Sequence, residues 1–150
     1  MSKLRIELLD PIKTPLISRL YKAHYPSGKA KKNEDIVVGY LDSEIVAVAR
    51  LRTIAPYRLL TGMLVVPYIQ KSGYGHQLLN HCQAHLLKDG DFCFAYSHLE
   101  SFYAQHQFKT TDPEKLPAPL LSLYRRYSQA GKQLTAMRFL AKPSPHQAVC

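Results

Sequence analysis

The stretch of sequence that decides the fold is Met63-Leu64-Val65-Val66-Pro67-Tyr68-Ile69-Gln70-Lys71-Ser72-Gly73-Tyr74-Gly75-His76-Gln77-Leu78-Leu79. Its apolar beginning predicts a buried strand, which ends at Pro67 because proline cannot donate to a β-ladder. Gly73 and Gly75 then let the backbone turn its N–H groups toward a ligand that approaches closely. The helix predicted to follow adds N–H donors and a positive dipole end. The stretch therefore predicts a strand, an anion-binding turn and a helix.

Two familiar phosphate-binding patterns do not fit this turn. A Walker A loop would need a Gly-Lys-Ser/Thr ending, which the stretch lacks. A dinucleotide-binding fingerprint would need a third glycine, and Leu78 stands at that position. Taken alone, the two glycines leave an anion site and a plain strand-to-helix turn as alternatives.

The pattern on either side of this stretch is that of an α+β protein. Alternating or continuous apolar runs predict strands, and apolar residues at helical spacing predict helices. The predicted strands cover 4–9, 35–41, 44–54, 59–66, 92–96 and 134–140. The predicted helices cover 11–25, 74–88, 101–106 and 120–127. A tight turn at Asp42-Ser43 joins the second strand to the third.

Length and composition indicate one globular domain. The chain has 150 residues, of which 46% are hydrophobic and 21% charged, an ordinary globular balance. We predict a single domain over 1–142 and a loose tail over 143–150. No apolar run reaches the length needed to cross a bilayer, and the N-terminus does not resemble a secretion signal. We therefore expect no membrane association and a cytoplasmic location.

The formal net charge of +9 is the unusual bulk property. It is compatible with a nucleic-acid surface, an acidic substrate or a polyanionic cofactor. Solvated surface charge is the plain alternative, because the basic residues are spread along the chain. Their three clusters are Lys29, Lys31 and Lys32; Arg50, Arg52 and Arg58; and Arg125, Arg126 and Lys132.

Cysteine and histidine spacings predict no metal site and no disulfide framework. Cys82, Cys93 and Cys150 are odd in number and form no C-x-x-C pair. Cys82 and Cys93 fall in predicted core positions, where cysteine acts as a small hydrophobe. His81 and His85 have the helical spacing of metal ligands, but no third ligand is nearby, and we interpret them as surface residues.

Two motifs together resemble the signature of the Gcn5-related N-acetyltransferase (GNAT) superfamily. The first is Val65-Val66-Pro67 followed by Gln70-Lys71-Ser72-Gly73-Tyr74-Gly75 and then Leu78-Leu79. The second is Leu99-Glu100-Ser101-Phe102-Tyr103-Ala104-Gln105-His106-Gln107-Phe108, which is similar to the family's short helix ending in phenylalanine. The motifs occur in the family's order. The resemblance implies a single-domain, mixed and mostly antiparallel sheet flanked by helices, with a central strand-loop-helix acyl-CoA site.

The resemblance also implies where the co-substrate acetyl-CoA binds. The strand backbone would pair with the pantetheine arm, and the N–H groups of the turn would hold the pyrophosphate. No metal is implied. The residues that the resemblance places at coenzyme A are Met63, Leu64, Val65, Gln70, Lys71, Ser72, Gly73, Tyr74, Gly75 and His76.

Tyr103 matches the family tyrosine that protonates the leaving thiolate, which is a general-acid role. The general base stays open, because residues 59–62 offer none of the family's carboxylate. Glu100, His98 and a water held by backbone carbonyls are the alternatives. One further departure is Gln107, which stands where the family has a glycine and puts the tightness of that turn in doubt.

The predicted function is transfer of an acetyl, or similar short acyl, group from acetyl-CoA to an amine of a small molecule or a protein. The acceptor is expected to contact His24, Tyr25, Lys29 and the segment 113–127, where the family resemblance is weakest. One alternative is a non-catalytic acyl-CoA-binding module that lacks the base. Another is a basic RNA-binding domain, although we expect no nucleic-acid partner. A homodimer is left open.

Overall fold

The computed structural model describes residues 4–24, 34–70 and 72–141. The strands within these ranges are β1 (Arg5–Leu8), β2 (Glu34–Leu41), β3 (Glu44–Ile54), β4 (Tyr57–Val65), β5 (Phe92–Tyr96), β6 (Phe108–Thr110) and β7 (Leu134–Phe139). The helices are α1 (Thr14–His24), α2 (Tyr74–His85), α3 (Glu100–Ala104) and α4 (Ala118–Gln129). Short 3₁₀ turns lie at Pro11–Lys13, Pro67–Ile69, Ser97–Leu99 and Pro113–Lys115. The predicted α+β class with mostly antiparallel strands is confirmed.

The chain divides into two compact units, Met1–Leu86 and Leu87–Cys150. In the first unit, β1 pairs with β2, β2 with β3 and β3 with β4, and every pairing is antiparallel. In the second unit, β7 pairs with both β5 and β6, again antiparallel. The predicted domain bounds of 1–142 remain a prediction, and the predicted tail lies outside the described residues.

Helix α1 covers one face of the sheet in the first unit. Ile17 and Tyr21, one helical turn apart, are almost fully buried and belong to a core cluster with residues from β2, β3 and β4. Residues that alternate with these along the strands, such as Val37 and Ala47, are buried too. Because successive side chains of a strand point to opposite faces, the other face must also be covered, and α2 contacts β2, β3 and β4.

The pairing of β3 with β4 contains a β-bulge at Gly62. Arg50 lies opposite Thr61, whereas Val48 lies opposite Leu64. One residue of β3 therefore faces two of β4, Gly62 and Met63, which defines a bulge on β4. Gly62 has a φ of +65°, a conformation that favours glycine. The bulge changes which side chains of the strand end face the core.

The second unit contains a strand that periodicity did not predict. β6 has only three residues, and Phe108 and Thr110 lie opposite Phe139 and Met137 of β7. Gln107, immediately before β6, has a φ of +68°. Glutamine therefore adopts the left-handed conformation expected of the family's glycine, and the tight turn is present.

Candidate active site

The end of β4 is held in place by hydrogen bonds within the turn that follows it. Val66 N donates to Val46 O at 2.9 Å, which extends the ladder by one residue beyond β4. A 3₁₀ turn follows at Pro67–Ile69. Gln70 Nε2 donates back to Val65 O at 2.8 Å. The side chain of Gln70 thus links the turn to the last residue of the strand and fixes the turn's shape.

Gly73 marks the point at which the turn becomes helix α2. Its φ of +84° is left-handed, and among the described residues no atom lies within 4 Å of a Cβ added to it. Gln77 N donates to Gly73 O at 3.1 Å, the first bond of the helical ladder. The N–H groups ahead of that bond have no carbonyl within the helix to bond to. An exposed turn next to these donors suits an anionic group, and diphosphate is such a group.

A buried polar network lies beneath the bulge of β4. The guanidinium of Arg50 donates from Nη1 to both carboxylate oxygens of Glu34, at 2.8 and 3.0 Å. Arg50 Nε donates to Tyr21 Oη at 3.1 Å, and the Tyr21 hydroxyl in turn donates to the carbonyl of Gly62. The side chains of Arg50 and Glu34 are 5% and 0% exposed. The network therefore joins β2, β3 and α1 to the bulge.

The burial of Arg50 rules out, for this residue, the solvated surface charge that the sequence left as the plain alternative. Arg50 is 4% exposed, and a buried charge requires an opposite charge or hydrogen bonds. Burial, partly offset by the positive charge and hydrogen bond of Arg50, raises the pKa of Tyr21 to about 12. Tyr21 thus keeps its proton across the neutral range and remains a donor to Gly62.

Tyr103 lies in the second unit, on helix α3. Its ring is packed edge-on against Phe102 and Phe108, at centroid distances of 5.2 and 5.8 Å. The residue is 5% exposed. His106 N donates to Tyr103 O at 2.9 Å and closes the end of the helix. Tyr103 is therefore held by aromatic packing in one ring orientation.

The two side chains predicted as alternative bases are exposed in the same unit. His98 lies in the 3₁₀ turn after β5, and its ring stacks on Tyr96 at 6.0 Å. Glu100 occupies the first turn of α3. Solvent contact leaves both side chains accessible to a ligand.

Comparison of the sequence with known protein families identifies the family of this chain. The acetyltransferase (GNAT) domain matches residues 13–118. The chain belongs to the GNAT acetyltransferase family. No match to a curated protein sequence was found.

Solved GNAT acetyltransferases share the fold of this chain. N-acetylglutamate synthase from Neisseria gonorrhoeae, complexed with coenzyme A and N-acetyl-glutamate, is 16% identical with a TM-score of 0.72, over 95% of this chain and 36% of that one. The chain thus spans about a third of that protein's length. Ribosomal-protein-S18-alanine N-acetyltransferase from Escherichia coli is 13% identical, with a TM-score of 0.67 over 94% and 96% of the two chains. A histone acetyltransferase HPA2 and related acetyltransferase from Corynebacterium glutamicum is 14% identical, with a TM-score of 0.70 over 96% and 99%. At such identities the likeness is one of fold.

The residues predicted at coenzyme A in this GNAT chain have different surroundings. Leu64 is buried in the core cluster, and Met63 and Val65 are half-buried. In the turn, Ser72 is half-buried and Gly73 exposed. Tyr74, Gly75 and His76 form the first turn of α2, and Lys71 lies outside the described residues. Their contact with coenzyme A stays a prediction.

The histidine pair of α2 is where the sequence placed it, on one side of the helix. The rings of His81 and His85 are 4.6 Å apart. Partial burial, and then the neighbouring His85, lower the pKa of His81. Across the parts of the chain that the structure describes, no group of three or more potential metal ligands was found. Among the described helices, none has the length and apolar character needed to cross a membrane.

Sequence reasoning missed the network of Glu34, Arg50 and Tyr21. The three residues lie on separate elements, and 16 positions separate Glu34 from Arg50. A signal was nevertheless present, because Arg50 interrupts the apolar run of β3 in which its neighbours Ala49 and Leu51 are buried. A charged residue within a buried strand predicts a charged partner.

Proposed function

We propose that this protein transfers an acetyl, or similar short acyl, group from acetyl-CoA to an amine. The observation that carries the proposal is the open, left-handed turn at Gly73 between the end of β4 and the start of α2. The first N–H groups of a helix have no carbonyl within the helix to bond to, and with the positive end of the helix dipole they suit a diphosphate. The same turn follows directly from β4, and in this proposal the backbone of Met63, Leu64 and Val65 pairs with the pantetheine arm.

Within this proposal, the main chain at the end of β4 performs the electrostatic part of the reaction. The amine attacks the thioester carbonyl directly while both substrates are bound, and holding them together supplies much of the acceleration. Negative charge develops on the carbonyl oxygen during the attack. The N–H of Leu64 or Val65 donates to that oxygen.

Tyr103 has the proton-donating role. Its hydroxyl gives a proton to the leaving thiolate of coenzyme A, as a general acid. Packing against Phe102 and Phe108 holds the ring and limits the directions in which the hydroxyl can point.

Removal of a proton from the attacking amine is assigned to Glu100, His98 or a water. Both side chains are exposed and therefore accessible to an incoming amine. Glu34 is excluded from this role, because its carboxylate is fully buried and bonded through both oxygens to Arg50. A fully buried carboxylate presents no oxygen to an incoming amine.

The acceptor is proposed to contact the end of α1 and the segment 113–127. His24, the last residue of α1, is exposed, whereas Tyr25 and Lys29 lie outside the described residues. We place the protein in the cytoplasm as part of the same proposal. Cys82 and Cys93 are both free and buried, as expected of a protein from a reducing compartment.

A second candidate is a non-catalytic module that binds acyl-CoA. The observation in its favour is that β4 carries no carboxylate side chain and that the buried carboxylate of Glu34 is bonded to Arg50. In such a module the turn at Gly73 would bind coenzyme A, and no group would deprotonate an amine.

A screen of amine acceptors with acetyl-CoA separates the two candidates. The panel should include amino acids, polyamines and peptides with free N-termini or lysines, and the readout is free thiol. The enzyme predicts thiol release that saturates with one class of acceptor. Coenzyme A binding measured by calorimetry without turnover on any acceptor would favour the binding module, and absence of both would contradict the two together.

A further inference from the structure

We propose that Glu34, Arg50 and Tyr21 form a clamp that fixes the β4 bulge and thereby sets the direction of the N–H groups that follow it, the oxyanion donor at Leu64 or Val65 included. This inference rests on the proposed function. The clamp residues are positioning residues, since their side chains contact Gly62 and one another. The term "clamp" is used below for these three side chains alone.

The clamp determines the direction of the peptide group between Gly62 and Met63. Tyr21 Oη accepts a hydrogen bond from Arg50 Nε at 3.1 Å, so its own proton is directed to the carbonyl of Gly62. The carbonyl of Gly62 and the N–H of Met63 belong to a single planar peptide group and point in opposite directions. Fixing the carbonyl toward Tyr21 therefore fixes the N–H of Met63 away from it.

The clamp is built to resist rotation of that peptide group. Arg50 is held at its far end by two bonds to Glu34, at 2.8 and 3.0 Å, and its guanidinium carbon lies 4.9 Å from the ring centre of Tyr21. Hydrogen bonds between two charged groups are shorter and stronger than those between neutral groups. Gly62 completes the fit, because a Cβ there would lie 2.7 Å from Tyr21 Oη.

The bulge has an alternative that the clamp excludes. If the pairing of Arg50 with Thr61 continued without a bulge, Val48 would lie opposite Met63 rather than Leu64. A shift of one residue moves every following side chain to the other face of the sheet. Leu64 would leave the core cluster, and the N–H groups of 63–65 would change direction. Since a buried ion pair is weak evidence for stability, this selection of register is the better account of the clamp.

Two substitutions that preserve the shape of the side chain test the clamp in the chain of 150 residues. Tyr21→Phe removes only the hydroxyl that binds Gly62, and Glu34→Gln removes the charge that holds Arg50. Tyr40→Phe is the matched control, because Tyr40 is buried in the same core cluster. The measurements are turnover with the best acceptor of the amine screen, affinity for coenzyme A, and the amide resonances of Met63 and Leu64 in two-dimensional NMR.

The clamp predicts a loss of turnover without a loss of co-substrate affinity. Turnover of Tyr21→Phe and Glu34→Gln should fall by about 10- to 100-fold, the scale on which small misplacements act, with coenzyme A affinity within about twofold. The double variant should be no slower than the slower single variant, because both break one unit. The amide of Met63 should shift in Glu34→Gln, because Glu34 bonds Arg50, Arg50 bonds Tyr21 and Tyr21 bonds the carbonyl of Gly62.

Several results would overturn the clamp. Turnover equal to that of Tyr40→Phe, or independent effects that multiply in the double variant, would reduce the three residues to ordinary core contacts. If the wild type turns over no acceptor, the proposed function fails, and with it the catalytic role of the clamp. The amide shifts then decide separately whether the clamp holds the bulge, and an unchanged Met63 resonance in Glu34→Gln would contradict that as well.

Discussion

Gln107 and Leu140 exchange two hydrogen bonds across the end of the second unit. Leu140 N donates to Gln107 O at 2.9 Å, and Gln107 Nε2 donates to Leu140 O at 3.1 Å. Gln107 does so with a φ of +68°, which costs a residue with a Cβ about 1–2 kcal/mol. The side-chain bond offsets part of that cost and explains how a glutamine is tolerated where a glycine was expected.

Substitution of Gln107 separates the energetic cost of its positive φ from the contribution of its side-chain hydrogen bond. Gln107→Ala loses the side-chain bond and keeps the backbone cost, whereas Gln107→Gly loses the bond and relieves that cost. We expect the alanine variant to be less stable than the glycine variant by about 1 kcal/mol. Urea unfolding of the two variants measures the difference. Equal stabilities would contradict the idea that the backbone conformation is a cost at this position.

Most of the fold followed from apolar periodicity. The strands Glu44–Ile54 and Phe92–Tyr96 were predicted with the bounds observed, because each has a buried centre rich in β-forming residues. Helix α2 begins at Tyr74 as predicted but ends at His85, three residues earlier, although Leu87 is still buried. Apolar spacing does not distinguish a helix end from a buried residue just beyond it.

The candidate site was predicted less completely. The turn from Pro67 to Gly73 could be read from the sequence, because proline and glycine act through local backbone geometry. The bulge at Gly62 and the network beneath it could not, since a bulge depends on how β3 and β4 align. The pairing of Arg50 with Glu34 likewise depends on tertiary structure. Turn geometry set by neighbouring residues was predictable, whereas strand register and contacts between residues distant in the sequence were not.

Gly62 should be far more sensitive to substitution than a glycine with a similar backbone and open surroundings. Gly62→Ala places a Cβ 2.7 Å from Tyr21 Oη, whereas a Cβ added at Gly131, whose φ is +95°, meets no atom of the described part of the chain within 4 Å. Both variants carry the left-handed cost of about 1–2 kcal/mol, and overpacking adds about 1–3 kcal/mol at Gly62 alone. In urea unfolding, the free energy of unfolding of Gly62→Ala should be lower than that of Gly131→Ala by this overpacking cost of about 1–3 kcal/mol. Equal losses would mean that the bulge can relax without cost.

A negatively charged side chain at position 73 should weaken the binding of coenzyme A. Gly73→Gln and Gly73→Glu carry similar backbone strain at a φ of +84° and have similar size, so they differ mainly in charge. We expect the glutamate variant to bind coenzyme A at least about tenfold more weakly than the glutamine variant at low salt, because its carboxylate repels the diphosphate. Calorimetry at two salt concentrations measures this. Identical affinities of the glutamate and glutamine variants would show that the phosphates do not bind at this turn.

Tyr21 should make the protein sensitive to high pH. Its pKa is raised from 10.0 to about 12, first by burial, so the folded state keeps a proton that the unfolded state loses. The resulting stabilisation is complete below pH 10 and is lost as pH rises toward 12, and two pKa units correspond to roughly 3 kcal/mol. Between about pH 9 and 11, the free energy of unfolding of the wild type should fall by roughly 1 kcal/mol more than that of Tyr21→Phe. Parallel pH curves for the two proteins would contradict the raised pKa.

Tyr103 offers the sharpest test of the proton-donating step. Tyr103→Phe keeps the ring that packs against Phe102 and Phe108 and removes only the hydroxyl, so the fold should be retained. Turnover should fall by about 10²- to 10⁴-fold, the usual contribution of a general acid, while coenzyme A affinity stays within about twofold. The loss should be smaller with a thioester whose thiol is more acidic, because such a leaving group needs less protonation. An equal loss with both thioesters would assign Tyr103 to the packing of the second unit rather than to proton transfer.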